Sequence, residues 1–168
     1  MKRLFMAAIL TLVSLATPLS AAPNSAPRSV QMEQYEPDTI VISTQDRRLY
    51  YKTVEGRVLS YPIGVGRDGF TWSGSMTITH MKEWPDWVPP PEMISRQPYL
   101  PRHMFGGLGN PLGARALYLG NTLYRIHGSN ESKTIGYAVS SGCFRMHNRD
   151  VVNLYELVRI GTKVVVLK

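Results

Sequence analysis

One cysteine in 168 residues excludes a disulfide framework and a cysteine-rich zinc site within a single chain. Histidine is nearly as scarce: of the four, His80, His103 and His147 are spread too irregularly for a metal pattern, so no resident metal is expected. No Lys/Arg cluster interleaves with aromatic residues, which argues against nucleic acid as a partner. No helix pattern follows Gly64, Gly66 and Gly69, so these read as turn and close-packing positions rather than a phosphate cradle. Internal repeats are absent, and the length leaves room for one ordinary domain.

Long apolar runs are also missing. The longest candidate, Leu4 to Val13, is short for a bilayer span of about 20 residues. It follows Met1-Lys2-Arg3 and leads into small residues through Ala22, which reads as a secretory signal peptide cut after Ala21. A transmembrane anchor is the alternative. No cysteine stands at the exit to carry a lipid. The reading divides the chain into a signal peptide over 1–21, a flexible proline-bearing leader over 22–37 and one folded domain over 38–168. Export across the inner membrane, with no stable anchor after cleavage, makes a periplasmic location the expectation.

What is present is globular in composition, with 43% hydrophobic and 18% charged residues. The formal charge is +7; loss of Lys2 and Arg3 with the signal peptide would lower it to +5, a modest excess that suits attraction to an anionic envelope polymer, and equally an ordinary solvated basic surface. Fourteen glycines and twelve prolines favour a turn-rich, mainly β domain over a helical bundle. Strands are expected at Thr39–Ser43, Arg47–Lys52, Gly56–Val65, Met76–His80 and Thr162–Leu167, with a hairpin joining Arg115–Leu119 to Leu123–His127 through Gly120-Asn121. The stretch from Trp84 to Gly113, with Pro89-Pro90-Pro91, is neither strand nor helix; it reads as an ordered lid or groove wall carrying Trp84 and Trp87. Alternatively, those two tryptophans simply cover exposed core. One helix is expected from Asn148, as N-cap, with Val151, Leu154, Tyr155 and Val158 at helical spacing and Gly161 ending it.

The lone thiol lies in Ser140-Ser141-Gly142-Cys143-Phe144-Arg145, just upstream of that helix. His127 ends a predicted strand sixteen positions earlier and is followed by Gly128. A Cys–His pair supplies an activated nucleophile, and the imidazole returns the proton to a leaving amine. By spacing alone, the cysteine reads equally well as a small buried hydrophobe and the histidine as merely hydrogen-bonded. Backbone N–H groups around Gly142 and Cys143 are natural oxyanion donors. Arg145 suits a bidentate pair with a substrate carboxylate, or with Asp150.

His127-Gly128, followed by Ser140-Ser141-Gly142-Cys143-Phe144-Arg145-Met146, resembles the signature of the L,D-transpeptidase family, the YkuD-type catalytic domain. The resemblance runs from about Asp38 to Leu167 and takes in Tyr61 to Gly66, Glu83 to Met93, Asn148, Asp150 and Tyr155. It implies a β-sandwich-like fold with one helix after the cysteine and a long capping loop over the site. It further implies that Cys143 attacks the L-centre carbonyl at the third residue of a peptidoglycan stem tetrapeptide, D-Ala leaves, and the acyl group passes to a diaminopimelate amine. The expected product is a direct 3→3 cross-link, made without ATP or a metal. His127 is then general base and acid, with the Gly128 carbonyl orienting its ring. Ser141 and Gly142 fall beside the oxyanion, and carbapenems are expected to acylate the thiol. Family members also attach envelope proteins to diaminopimelate or cut such links, and a non-catalytic peptidoglycan-binding module is the different-class alternative. Many members carry His immediately before Gly-Cys; here Ser141 stands there.

Overall fold

The computed structural model describes residues 30–168; the expected signal peptide and residues 22–29 of the leader lie outside them. From residue 30 the leader packs against the domain: Met32 is buried, and the Lys52 ammonium donates to the Tyr35 carbonyl at 2.6 Å. Among the described residues, no helix is long and apolar enough to cross a membrane.

The molecule is mainly β, as expected. In chain order the elements are β1 (Thr39–Ser43), β2 (Arg48–Lys52), β3 (Val58–Pro62), β4 (Val65–Gly66), β5 (Gly74–Glu83), α1 (Pro91–Arg96), β6 (Arg115–Leu119), β7 (Arg125–His127), β8 (Ala138–Ser140), β9 (Phe144–Arg145), α2 (Asn148–Leu157) and β10 (Lys163–Leu167). Eight strands form one sheet in the order β3-β2-β1-β10-β5-β6-β7-β9, and β4 pairs with β8 separately. The β1–β10 and β7–β9 pairings are parallel.

The long sheet curls, and β5 is its corner. Its first residues pair with β10 and its later ones with β6, with a register break between Ile78 and His80. The core requires the curl. Ile40 and Ile42 of β1 belong to the same buried cluster as Ile126 of β7 and Phe144 of β9. In a flat sheet, strands that far apart in order would be separated by roughly 20 Å at the usual inter-strand spacing.

Helix α2 closes the open side through Val151 and Leu154, both fully buried. It ends at Leu157, whose carbonyl accepts a hydrogen bond from the Tyr51 hydroxyl at 3.0 Å. That bond satisfies one of the orphan groups at the helix C-terminus.

Two local expectations are corrected. Asn148 is the first helical residue and His147 the N-cap, with no side-chain capping bond. The Asn148 side chain is engaged elsewhere, because its Oδ1 accepts from the N–H groups of Ala114 and Ser129, at 3.0 and 3.2 Å. The capping stretch also contains a helical turn, α1, with Pro91 at its first position, where a missing N–H costs nothing.

Candidate active site

The pairing of β7 with β9 assembles the site. Ile126 sits opposite Phe144 and His127 opposite Arg145. Side chains alternate across a strand, so Ile126 and Phe144 point into the core, where each is essentially fully buried. Arg125, His127, Cys143 and Arg145 then share the other face, and all four line a cavity of about 700 Å³. The expected thiol and imidazole are thus on the walls of one space.

His127 is buried at 5% exposure, and its Nδ1 lies 2.6 Å from the carbonyl oxygen of Gly128. A carbonyl oxygen only accepts, so Nδ1 carries the proton and Nε2 of the neutral ring presents a lone pair. Burial, with the charges of Arg145 and Arg125 adding to it, lowers the imidazolium pKa to about 3 despite the Gly128 bond. Gly128 is required by close approach: a Cβ there would run into Asn148 Oδ1 and stand 3.0 Å from the backbone nitrogen of Ala114.

The Cys143 thiol donates to the Leu123 carbonyl at 3.6 Å; no hydrogen bond joins it to the His127 ring. Burial pushes its pKa up, partly opposed by the charge and hydrogen bonding of Arg125. Thiol and imidazole are therefore both neutral at rest, not an ion pair.

The turn carrying Cys143 is held by Ser140, whose hydroxyl donates to the Cys143 carbonyl at 2.6 Å and accepts from the Gly142 N–H at 3.2 Å. Gly142 is therefore not a free oxyanion donor. The Cys143 N–H has no acceptor among the described residues. Ser141 Oγ accepts from Arg67 at 3.1 Å. Arg145 pairs with Glu131 at 3.0 Å, and Asp150 meets Arg149 instead, which corrects the expected Arg145–Asp150 alternative.

The two expected lid tryptophans part company. Trp87 is buried on the cavity wall, held by reciprocal backbone bonds with Met104 at 2.8 Å. Trp84 is 41% exposed and stands outside the cavity lining. A third tryptophan, Trp72, was not legible in the sequence. Its indole N–H reaches the Gly142 carbonyl, and its ring stacks on Tyr124. Nothing in the local pattern around residue 72 points to that contact.

Compared with known proteins, residues 37–166 match the family model described as L,D-transpeptidase catalytic domain, YkuD. The chain is 36% identical over 142 residues to the probable L,D-transpeptidase ErfK/SrfK of Escherichia coli K12, covering 78% of this chain and 46% of that one. It thus spans about half the length of that curated relative. An L,D-transpeptidase from Mycobacterium smegmatis shares the fold at a TM-score of 0.62 and 19% identity, over 77% of this chain and 58% of that one. The catalytic domain of the E. faecium L,D-transpeptidase, solved acylated by ertapenem, superposes at a TM-score of 0.60 and 18% identity, over 79% and 98% of the two chains.

Proposed function

The chain belongs to the YkuD family of L,D-transpeptidase catalytic domains, and from that premise we propose that it is a cysteine acyltransferase forming 3→3 cross-links between peptidoglycan stem peptides. The observation that carries the reading is the His127–Gly128 contact. It sets the Nδ1–H tautomer and leaves Nε2 as a base in the cavity that also holds Cys143.

The chemistry proceeds between neutral groups. As Sγ attacks the carbonyl carbon of the third stem residue, the thiol proton moves to Nε2 and a C–S bond forms. The oxyanion takes the unused Cys143 N–H as donor. Collapse breaks the C–N bond to D-Ala, and the imidazolium returns its proton to the departing amine. A diaminopimelate amine then attacks the thioester by the reverse sequence and restores the thiol. A pre-formed thiolate–imidazolium pair is opposed by burial of both groups. Proton transfer therefore accompanies attack, when the developing oxyanion balances the imidazolium charge.

In this reading residues 38–168 are the catalytic domain, 1–21 direct export, and the enzyme works in the periplasm on a polymer outside the inner membrane. The test is mass spectrometry of disaccharide-tetrapeptide incubated with the purified chain, beside Cys143→Ala. Cysteine-dependent dimers that have lost D-Ala are expected. Free tripeptide without dimers replaces transfer by hydrolysis. Conversion only with an envelope protein present replaces the amine acceptor, and undiminished turnover in Cys143→Ala refutes the nucleophile.

A further inference from the structure

Four guanidinium groups and two carboxylates line the cavity: Arg67, Arg96, Arg125 and Arg145 against Glu92 and Glu131. Arg145 is neutralised by Glu131, and Arg125 has a hydrogen bond to the Leu123 carbonyl. Arg67 and Arg96 have no carboxylate within ion-pair distance among the described residues. Both nevertheless converge on one aromatic ring, their guanidinium carbons 4.1 and 5.1 Å from the Phe70 centroid.

Two cations on one ring repel each other, and weak cation–π attraction to that ring does not neutralise their charge. An anion placed between them does. Arg67 is already oriented, because its Nη1 donates to Ser140 O at 3.3 Å and Ser141 Oγ at 3.1 Å. That contact ties its charge to the turn bearing Cys143. Arg96 sits on α1 in the capping segment and makes no polar contact among the described residues, so its fork is open to the cavity. The remaining acid, Glu92, lines the same space and favours a singly charged group, such as one carboxylate, over a dianionic group at that point.

We propose that Arg67 and Arg96, arranged around Phe70, form a carboxylate-binding clamp that positions the stem peptide in the cavity. The inference rests on the stem-peptide reading above and assigns specificity-determining residues to it. Two substrate carboxylates fit this chemistry: that of the departing D-Ala, and that on the side chain of the third residue.

The probe is the disaccharide-tetrapeptide, measured by calorimetric binding to Cys143→Ala, where no turnover occurs, and by steady-state turnover in the intact chain. Arg96→Gln in the Cys143→Ala background should weaken binding about tenfold, the scale of one lost charge-assisted pair. In the intact chain the same change should raise KM by a similar factor and keep kcat within about twofold. Arg96 is exposed, so the variant gives up its surface contact with the Phe70 ring and no buried packing. Arg67→Lys, which keeps the charge and loses the fork, should weaken binding less than Arg67→Gln.

Amidating the carboxylate that the clamp reads removes the contacts of both arginines, so the parent affinity should fall to the Arg96→Gln level or below it, and parent and Arg96→Gln should bind the amidated peptide equally. Peptides amidated singly at either position identify which carboxylate it is. Unchanged affinity in Arg96→Gln overturns the clamp, as does an equal loss with peptide amidated at both positions. Arg96-dependent binding with no turnover in the intact chain would refute transpeptidation and leave the clamp standing. Turnover with an Arg96-independent KM would do the reverse.

Discussion

Trp72 donates its indole N–H to the carbonyl oxygen of Gly142 at 2.9 Å, across 70 positions of sequence. The same ring stacks on Tyr124, with centroids 4.6 Å apart and planes within 15° of parallel. The turn that presents Cys143 is therefore backed by an aromatic wall built from two other parts of the chain. Ser140 holds that turn from within, and Trp72 holds it from outside. Together they position the thiol without any bond to the imidazole, leaving both reactive groups free to meet a substrate.

Trp72→Phe keeps an aromatic face and removes the donor to a buried residue's carbonyl. The expected cost is about 1–2 kcal/mol, lowering the thermal midpoint by roughly 3–8 °C for a domain of this size. Thermal melts followed by circular dichroism read it directly. A midpoint equal to the parent's would mean that the indole bond does not hold the turn.

Gly142→Ala meets two separate penalties at once. Gly142 has φ +108°, and a Cβ there would lie 2.6 Å from Cε1 of Tyr124. The backbone strain alone is worth about 1–3 kcal/mol, and the steric overlap adds to it. Tyr124→Ala in the same chain relieves the overlap and leaves the strain. The double variant should therefore fall short of the sum of the single losses in urea unfolding, and strict additivity would show that the Tyr124 ring is not what Gly142 accommodates.

The fold was legible where one-dimensional period carries the information. Leu49 and Tyr51 alternate inward on β2, and Val151 and Leu154 recur on the buried side of α2, as the spacing implies. His127 and Cys143 stand out in the sequence through the lone thiol and the resemblance of His127-Gly128 and Ser140 to Met146 to the family signature, and the fold brings both to the wall of one cavity. What escaped depends on partners distant in sequence. Asn148 reads as a helix cap, yet its oxygen fastens the loops at Ala114 and Ser129. For Arg145 the sequence offers a substrate carboxylate or Asp150, and the fold delivers Glu131 as its partner within the chain. Arg67 and Arg96 carry no local signal, because only the fold brings β4's exit and the capping helix to one Phe70 ring.

The thiol should titrate late. Burial raises the Cys143 pKa above the ordinary value of about 8.5, so alkylation by the neutral reagent iodoacetamide should rise with pH to a midpoint above that value. Arg125 pulls the other way, and Arg125→Gln should move the midpoint higher still. His127→Gln should barely shift it, since an imidazole that is uncharged at those pH values stabilises no thiolate. A midpoint near 6 would instead reveal a resting thiolate–imidazolium pair and overturn the neutral-pair mechanism.

His127 also makes stability depend on pH, in a direction that follows from its depressed pKa of about 3. In the unfolded chain the ring protonates near 6.5, so between about pH 6.5 and 3 the unfolded state binds the extra proton. The contribution is present in full above 6.5 and is lost as the pH falls toward 3, with a slope approaching 1.4 kcal/mol per pH unit. His127→Gln retains a donor for the Gly128 carbonyl and does not titrate. Urea unfolding of both chains at pH 7, 6, 5 and 4 cancels the carboxylates common to them, leaving this one residue in the difference. The parent should lose stability relative to the variant steadily from pH 6 to pH 4. A constant difference across that range would mean that the ring takes up its proton in the folded protein as readily as in the unfolded one. Nε2 would then be charged at acidic pH rather than held as a free base, and the tautomer set by Gly128 would no longer describe the active form there.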